Sequence, residues 1–442
     1  MTSRLGQVYI GVIVSLGIFM ILSQAVITLV ISGYDLISYN RARTTAKHLA
    51  TEQIEIIHNL DYNNIGTVGG IPPGIIPQTE EIARNSLAYT VKTTIVYIDD
   101  PFDTLAPTDE NPNDYKKVRV EVTWGGLADS KSPVILSTNI APQALEESVG
   151  GTLQVLVSNS HGEPIPNANV TITTNEVNPP INTTIATDIN GLVTLPDSPP
   201  CVSCYHISAT RDGMNTDRTY GTDEISTPFK SHLSVQDNYV SEVTLTIDTT
   251  GTLNITSLNN FDNNFALLPN QTFRLHGTKI IGTDSLGQFV YKFDEDVLTD
   301  GSAQATIENI EWDSYYIGNP TNNTRDISAT NPINPIIINP GDTISAIFAT
   351  TPTTDHRLLT IFVDNTGTPV SSVSAHLSDG LGFEETLPTG EATESANFGQ
   401  AFFDSLNEFT YFIEATASGY IDYSSDVLVT GYMTETIQLE SE

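Results

Sequence analysis

The chain has 442 residues, room for two to four domains, with 53 Asp and Glu against 18 Lys and Arg and a formal net charge of −35. Of the acidic residues 37 lie after Glu147, against 8 of the Lys and Arg, so residues 148–442 alone carry −29. Nucleic acid is not an expected partner, because phosphate contacts need Lys and Arg.

Met1 to Gly6 is a polar leader with one positive charge, Arg4, and from Gln7 to Gly33 no acid or base follows except the phenol of Tyr9. About 26 helical residues reach about 39 Å, more than the ~30 Å hydrocarbon core of a bilayer. A removed signal peptide is the alternative, with Ser23-Gln24-Ala25 as its cleavage site. Such a peptide needs an apolar stretch of only about 7 to 15 residues, and here Val26 to Ile31 carries the apolar run on past that site. A retained helix accounts for the whole run. Arg41 to Leu60 then continues in helix formers, with Ala46, Ala50, Ile54 and Ile57 on one face of a 3.6-residue period and Glu52 and Glu55 off it. One rod is expected to have an apolar first half and an amphipathic second half.

A polar leader ending in glycine ahead of a two-part helix resembles the class III leader and N-terminal region of type IV pilins and pseudopilins, over roughly residues 1–125. The resemblance implies cleavage by a prepilin peptidase between Gly6 and Gln7. It also implies a helix held first in the inner membrane and later packed among other pilin subunits. The chain departs from the family at its first mature position, Gln7, where an aromatic or methionine is usual, and at its fifth, Gly11, where glutamate is usual. Loss of that glutamate suits a minor subunit better than a repeating major one. Positive charge does not favour an inside N-terminus, since Arg4 faces Arg41, Arg43 and Lys47 across the span. Orientation therefore follows from the resemblance.

Asn63 to Pro77, rich in Gly, Pro and Asn, reads as a loop. Leu87 to Ile98 is an expected strand. In the next, Lys116 to Trp124, Val118, Val120, Val122 and Trp124 alternate with Lys117, Arg119, Glu121 and Thr123. Asp99 to Asp114 between them is a polar loop, and Val134 to Ile140 is a further strand before a linker near Ala141 to Gly150. Helix, loop and strands in that order make an α+β pilin-like head.

Beyond Gly151 one pattern recurs at roughly hundred-residue spacing. Leu153, Val155 and Val157 lead through Gly162-Glu163-Pro164 to Val170 and Ile172, then through Asp188-Ile189-Asn190-Gly191 to Tyr205, Ile207 and Ala209. Leu359, Ile361 and Val363 open a second version through Asp364-Asn365-Thr366-Gly367 to Tyr411, Ile413 and Ala415. A weaker copy runs from Leu253 and Ile255 through Phe273 and Leu275 to Asp284-Ser285-Leu286-Gly287, Phe289 and Tyr291. Short alternating strands with turns every eight to twelve residues indicate β-sandwiches. The first and last copies resemble the carboxypeptidase regulatory-like (transthyretin-like) domain, and the middle one is a divergent Ig-like variant. The resemblance implies tandem Greek-key sandwiches.

The expected organisation is a leader at 1–6, a membrane or assembly half-helix at 7–33 and an amphipathic half-helix with α+β head at 34–142. Sandwiches follow at 151–247, 248–352 and 356–442. Cys201 and Cys204 are the only cysteines. With two prolines before them and a strand after, a loop-closing disulfide is expected rather than a redox pair opening a helix, free thiols being the alternative. The eight histidines (48, 58, 161, 206, 232, 276, 356, 376) are dispersed, and no hydrolase elbow, phosphate loop or zinc motif occurs. No cofactor and no catalytic activity are expected. Acidity serves solubility and self-repulsion, or Ca²⁺ binding through scattered oxygens; no loop carries Asp-x-Asp-x-Asp-Gly with a terminal Glu. Asn169, Asn182, Asn254, Asn270 and Asn322 head Asn-x-Ser/Thr triplets.

The expected function is a minor pilin-like or pseudopilin subunit of a type IV pilus or related secretion apparatus, displaying sandwiches for adhesion. Other pilins, the assembly machinery, prepilin peptidase and an unknown surface ligand are the expected partners. The chain is expected at the cell surface or pilus, membrane-anchored by its N-terminal helix with the rest extracytoplasmic. The alternative is a single-span surface adhesin outside any filament.

Overall fold

The computed structural model describes residues 3–106, 108–109, 111–125, 132–143, 150–321 and 323–442, and side chains from Val12 onward. Part of the leader (Met1 and Thr2), most of the linker and Asn322 lie outside the described residues. Among the described residues one α-helix, α1 (Ser3–His58), is followed by strands and two short 3-10 turns. The chain divides into two compact units: Met1–Val157 with Pro164–Ala209 and His232–Leu245, and Ser158–Glu163 with Thr210–Ser231 and Thr246–Glu442.

In the first unit the head is an antiparallel sheet of β1 (Thr79–Arg84), β2 (Leu87–Ile98), β3 (Tyr115–Trp124) and β4 (Val134–Ile140), in sequence order. Val118, Val120, Val122 and Trp124 on β3 and Tyr89, Val91 and Ile95 on β2 are buried against Ala42, Ala46, Leu49, Ala50 and Ile57 of α1. The alternation on β3 buries one face on the helix and leaves most of the other half-buried. Small alanines let helix and sheet approach closely. Ile54 is only half-buried, and the buried stripe starts a turn earlier than the sequence spacing indicates, at Ala42. β1 was not expected. Its Thr-Glu-Glu-Ile-Ala-Arg sequence buries almost nothing, and it exists as an edge strand paired with β2.

The same unit holds most of the first sandwich. One sheet places β5 (Gly151–Ser158) between β8 (Leu192–Ser198) and the strand Val240–Thr246. The other runs through β6 (Asn169–Thr174), paired with β7 (Ile181–Ala186), and β9 (Cys201–Thr210). Leu153, Val155, Val170, Ile172, Tyr205 and Ile207 are buried. Main-chain and side-chain hydrogen bonds join the head to this sandwich. Asn182 N–H donates to Gly69 O at 2.8 Å, and Gln78 Nε2 donates to Val68 O at 2.9 Å and Asn182 O at 2.7 Å.

In the second unit the same strand permutation appears twice more. Gly251–Asn259 lies between Gln304–Ile310 and Thr343–Pro352, and His356–Val363 lies between Gln400–Leu406 and Tyr432–Gln438. In both, the opening strand runs parallel to the closing strand. The facing sheets carry Thr272–His276 and Ser374–Ser378 at equivalent places, each between two antiparallel neighbours. The weaker copy is a full sandwich, with Leu253, Ile255, Phe273, Leu275 and Phe348 in its core. Its turn Asp284–Gly287 lies elsewhere. The hairpin Ile280–Thr283 with Phe289–Tyr291 forms a separate small sheet with Thr227–Pro228, and Phe289 is 58% exposed. The two sandwiches of this unit are tied by Gln400, whose buried amide donates to Thr330 O at 2.7 Å and accepts from Thr330 N at 3.1 Å. Arg357 forms an ion pair with the fully buried Asp326 at 2.7 Å.

Candidate functional site

The apolar half of α1 is the most unusual surface in the protein. From Val12 to Ile37 its large side chains stand out on all sides, with Leu29 74% exposed. It is the one helix among the described residues long and apolar enough to cross a membrane. In lipid every polar group must find an internal partner. Two hydroxyls of the helix meet that demand: Ser15 Oγ donates to Val12 O and Thr28 Oγ1 to Gln24 O, both at 2.9 Å. Gly17 and Gly33 leave the helix surface open around them. The first charge after the apolar run is Asp35, followed by Arg41, Arg43 and Lys47, and Tyr39 leads into the head core by packing against Trp124, ring centroids 5.8 Å apart.

Gly6 and Gln7 lie within α1, so the helix runs through the expected processing bond; their side chains are outside the described residues. Cys201 and Cys204 are joined by a disulfide at the start of β9, with Cα atoms 6.0 Å apart. They serve a different part of the first unit from the leader pair. Close by, the rings of His206 and His232 stack with centroids 3.7 Å apart. His58 reaches Thr138 Oγ1 at 3.3 Å, and His276 stacks on Tyr316. Asn182, which heads one of the Asn-x-Thr triplets, has its backbone N–H and C=O both held by the head.

A second convergence was not singled out from the sequence. In the loop between β2 and β3, Asp99, Asp109 and Asp114 bring one carboxylate oxygen each to within 4.8 Å of one another. Burial, followed by the charges of Asp109, Asp114 and Asp103, pushes the Asp99 carboxyl up. Asp114 is raised by burial and by Asp103, Asp109 and Asp100. On the adjoining strand Lys116 is buried, donates to Tyr62 O at 2.9 Å and lies over the Tyr62 ring, 4.2 Å from its centroid. The loop's six acidic residues among sixteen were the signal available in the sequence; their spacing follows no common metal-loop pattern.

No protein-family model matches the sequence, and no curated protein matches it. Among solved structures the chain is similar to the Bacillus anthracis TIE protein at 15% identity, covering 82% of this chain and 73% of that one, with a TM-score of 0.20. It is similar to a minor pilin of Streptococcus agalactiae at 14% identity, covering 44% and 97%, with a TM-score of 0.17. For the major pilin subunit of Bacillus cereus the values are 11%, 66%, 100% and 0.17. Likeness at these scores carries no argument, and the function is read from the chain's own residues.

Proposed function

We propose that the protein is a minor pilin-like subunit of a type IV pilus or related secretion apparatus. On this reading α1 is first an anchor in the inner membrane and then an assembly helix, and the sandwiches are displayed at the surface for adhesion. The observation that supports it is the division of α1: one continuous helix, apolar and exposed around its whole girth in the first half, seated on a four-stranded sheet in the second. A helix of that kind exchanges lipid for neighbouring helices without refolding its head. Processing by a prepilin peptidase between Gly6 and Gln7 belongs to the same proposal. Mass spectrometry of the native protein is expected to find a mature chain beginning at Gln7. An intact Met1, or cleavage after Ala25, contradicts it.

The second reading, a single-span adhesin outside any filament, rests on the same exposed helix and on the absence of glutamate at Gly11. Cross-linking in intact cells separates the two: a filament subunit recovers other pilins through α1, and a lone anchor recovers none. Neither reading includes catalysis, and the purified protein is expected to show no turnover on glycans or peptides.

A further inference from the structure

We propose that the loop between β2 and β3 is a Ca²⁺ site with the carboxylates of Asp99, Asp109 and Asp114 as ligands. Asp99 follows the last residue of β2 and Asp114 precedes the first of β3, beyond the paired Ile98 and Tyr115. Asp109 comes from the loop between them. Their oxygens, within 4.8 Å of one another, are close enough for one ion to bridge all three.

Each carboxyl is held in place by one committed oxygen. Asp99 Oδ2 accepts from Ala106 N at 2.9 Å, Asp109 Oδ1 from Asn111 N at 2.8 Å, and Asp114 Oδ2 from Asp100 N at 2.6 Å. Asp99 Oδ1 and Asp109 Oδ2 are buried and accept no hydrogen bond. An independent observation comes from a neutral group. The Asn113 side chain, next to Asp114, is 3% exposed, and neither its Oδ1 nor its Nδ2 has a hydrogen-bond partner. Burying an amide with no partner is costly, and an amide oxygen is a ligand type that Ca²⁺ accepts.

The donor set selects the ion. All the groups are hard oxygens, with no thiolate or imidazole among them, which disfavours Zn²⁺. Mg²⁺ usually takes one or two carboxylates and keeps several waters, whereas Ca²⁺ accepts six to eight oxygens in adaptable geometry. Three carboxylates on one irregular loop suit Ca²⁺. The ion would clip the two ends of that loop together where the hairpin opens.

The test uses the full-length chain in detergent and Tb³⁺ as a luminescent probe. Tyr115, whose hydroxyl lies 3.5 Å from Asp100 Oδ2, is placed to sensitise an ion held between the aspartates. Saturable Tb³⁺ emission is expected, displaced by CaCl2 with a midpoint at or below about 1 mM, the range of extracellular Ca²⁺ modules. MgCl2 is expected to need at least about tenfold more. Asp99→Asn with Asp114→Asn is expected to abolish the displaceable emission, and Asp364→Asn with Asp379→Asn to leave it unchanged. Emission that Ca²⁺ does not displace, or that survives Asp99→Asn with Asp114→Asn, overturns the proposal. A measurement needing no variant stands beside it: hydrogen exchange of the native chain. Ca²⁺ is expected to slow exchange across residues 99–114 several-fold and to leave the distal turns unaffected. Unchanged exchange in that loop at about 10 mM Ca²⁺ equally overturns it.

Discussion

In six turns a single side-chain oxygen accepts two backbone N–H groups, two and four residues further on. The residues are Asn159, Asp188, Asp284, Asp300, Asp364 and Asp379. Asx side chains that bond their own backbone in this way define the turn. These oxygens of the distal acids are therefore occupied by the protein itself, and the turns need an acceptor rather than a charge, as Asn159 shows. Bonds from the Thr366 hydroxyl and the Thr368 N–H hold the Asp364 carboxyl below the usual carboxylate range, and the N–H groups of Leu381 and Phe383 do the same for Asp379. A carboxyl depressed on folding adds stability that is present above its unfolded value, about 3.9, and is lost as pH falls through the folded value. Thermal unfolding midpoints near neutral pH and at about pH 3 check this. Asp364→Asn with Asp379→Asn is expected to keep most of the neutral stability and to flatten its acid loss. Asp364→Ala is expected to lower the midpoint at neutral pH.

At the scale of elements, the contact of α1 with the head depends on residues with almost no side chain. Ala46 and Ala50 are fully buried over the sheet. Ala46→Leu puts three extra carbons into a packed layer, and overpacking of this kind costs about 1–3 kcal/mol. Denaturation of the full chain followed by tryptophan fluorescence, in a Trp312→Phe background so that the signal is that of Trp124, is expected to show that loss, with Glu52→Leu on the exposed side as the near-neutral control. Ala46, Ala50 and Ile57, like the strand β3, were legible because buried faces impose periods of 3.6 and 2 on the sequence. β1 was not, because an edge strand that packs only Ile82 against the core carries no alternation. The hairpin around Phe289 misled for the converse reason: its apolar residues repeat the pattern of a core strand but sit in an accessory sheet. At the candidate site, Gly6, Gln7 and the apolar span could be read from composition and order. The meeting of Asp99, Asp109 and Asp114 could not, since it depends on where an irregular loop folds back.

Over the whole molecule the two outer copies repeat one another atom by atom. Val157 N–H bonds Gly191 O and Ile165 N–H bonds Val157 O, as Phe362 N–H bonds Gly399 O and Val370 N–H bonds Phe362 O. Thr187 and Thr389 each donate a hydroxyl to a core carbonyl, that of Ile165 and of Val370. Gly191 and Gly399 adopt φ of +71° and +68°, and a Cβ there would meet the Val157 carbonyl oxygen and the Pro369 ring respectively. Acidity is just as uniform. Of the eight Lys and Arg beyond Glu147, Arg218, Lys230, Arg274, Lys279, Lys292 and Arg357 are taken up in ion pairs. Few cations are left to offset the surplus of carboxylates.

The parallel pairing of first and last strands has a mechanical consequence for a protein tethered at one end and gripped at the other. Thr252–Asn259 pairs with Thr343–Thr350, and Arg357–Val363 with Tyr432–Gln438. Tension enters each sandwich at the start of one strand and leaves at the far end of its parallel neighbour. It therefore loads the ladder in shear, straining its hydrogen bonds together instead of peeling them one at a time. Stretched between surfaces with a force probe, these two sandwiches are expected to rupture at higher force than one pulled so that its strands unzip. Placing Pro at Thr256 or Ile361, where an N–H of the parallel ladder is lost, is expected to lower that force. On the proposed reading each of these two sandwiches would hold hardest along the line on which its ends are drawn apart.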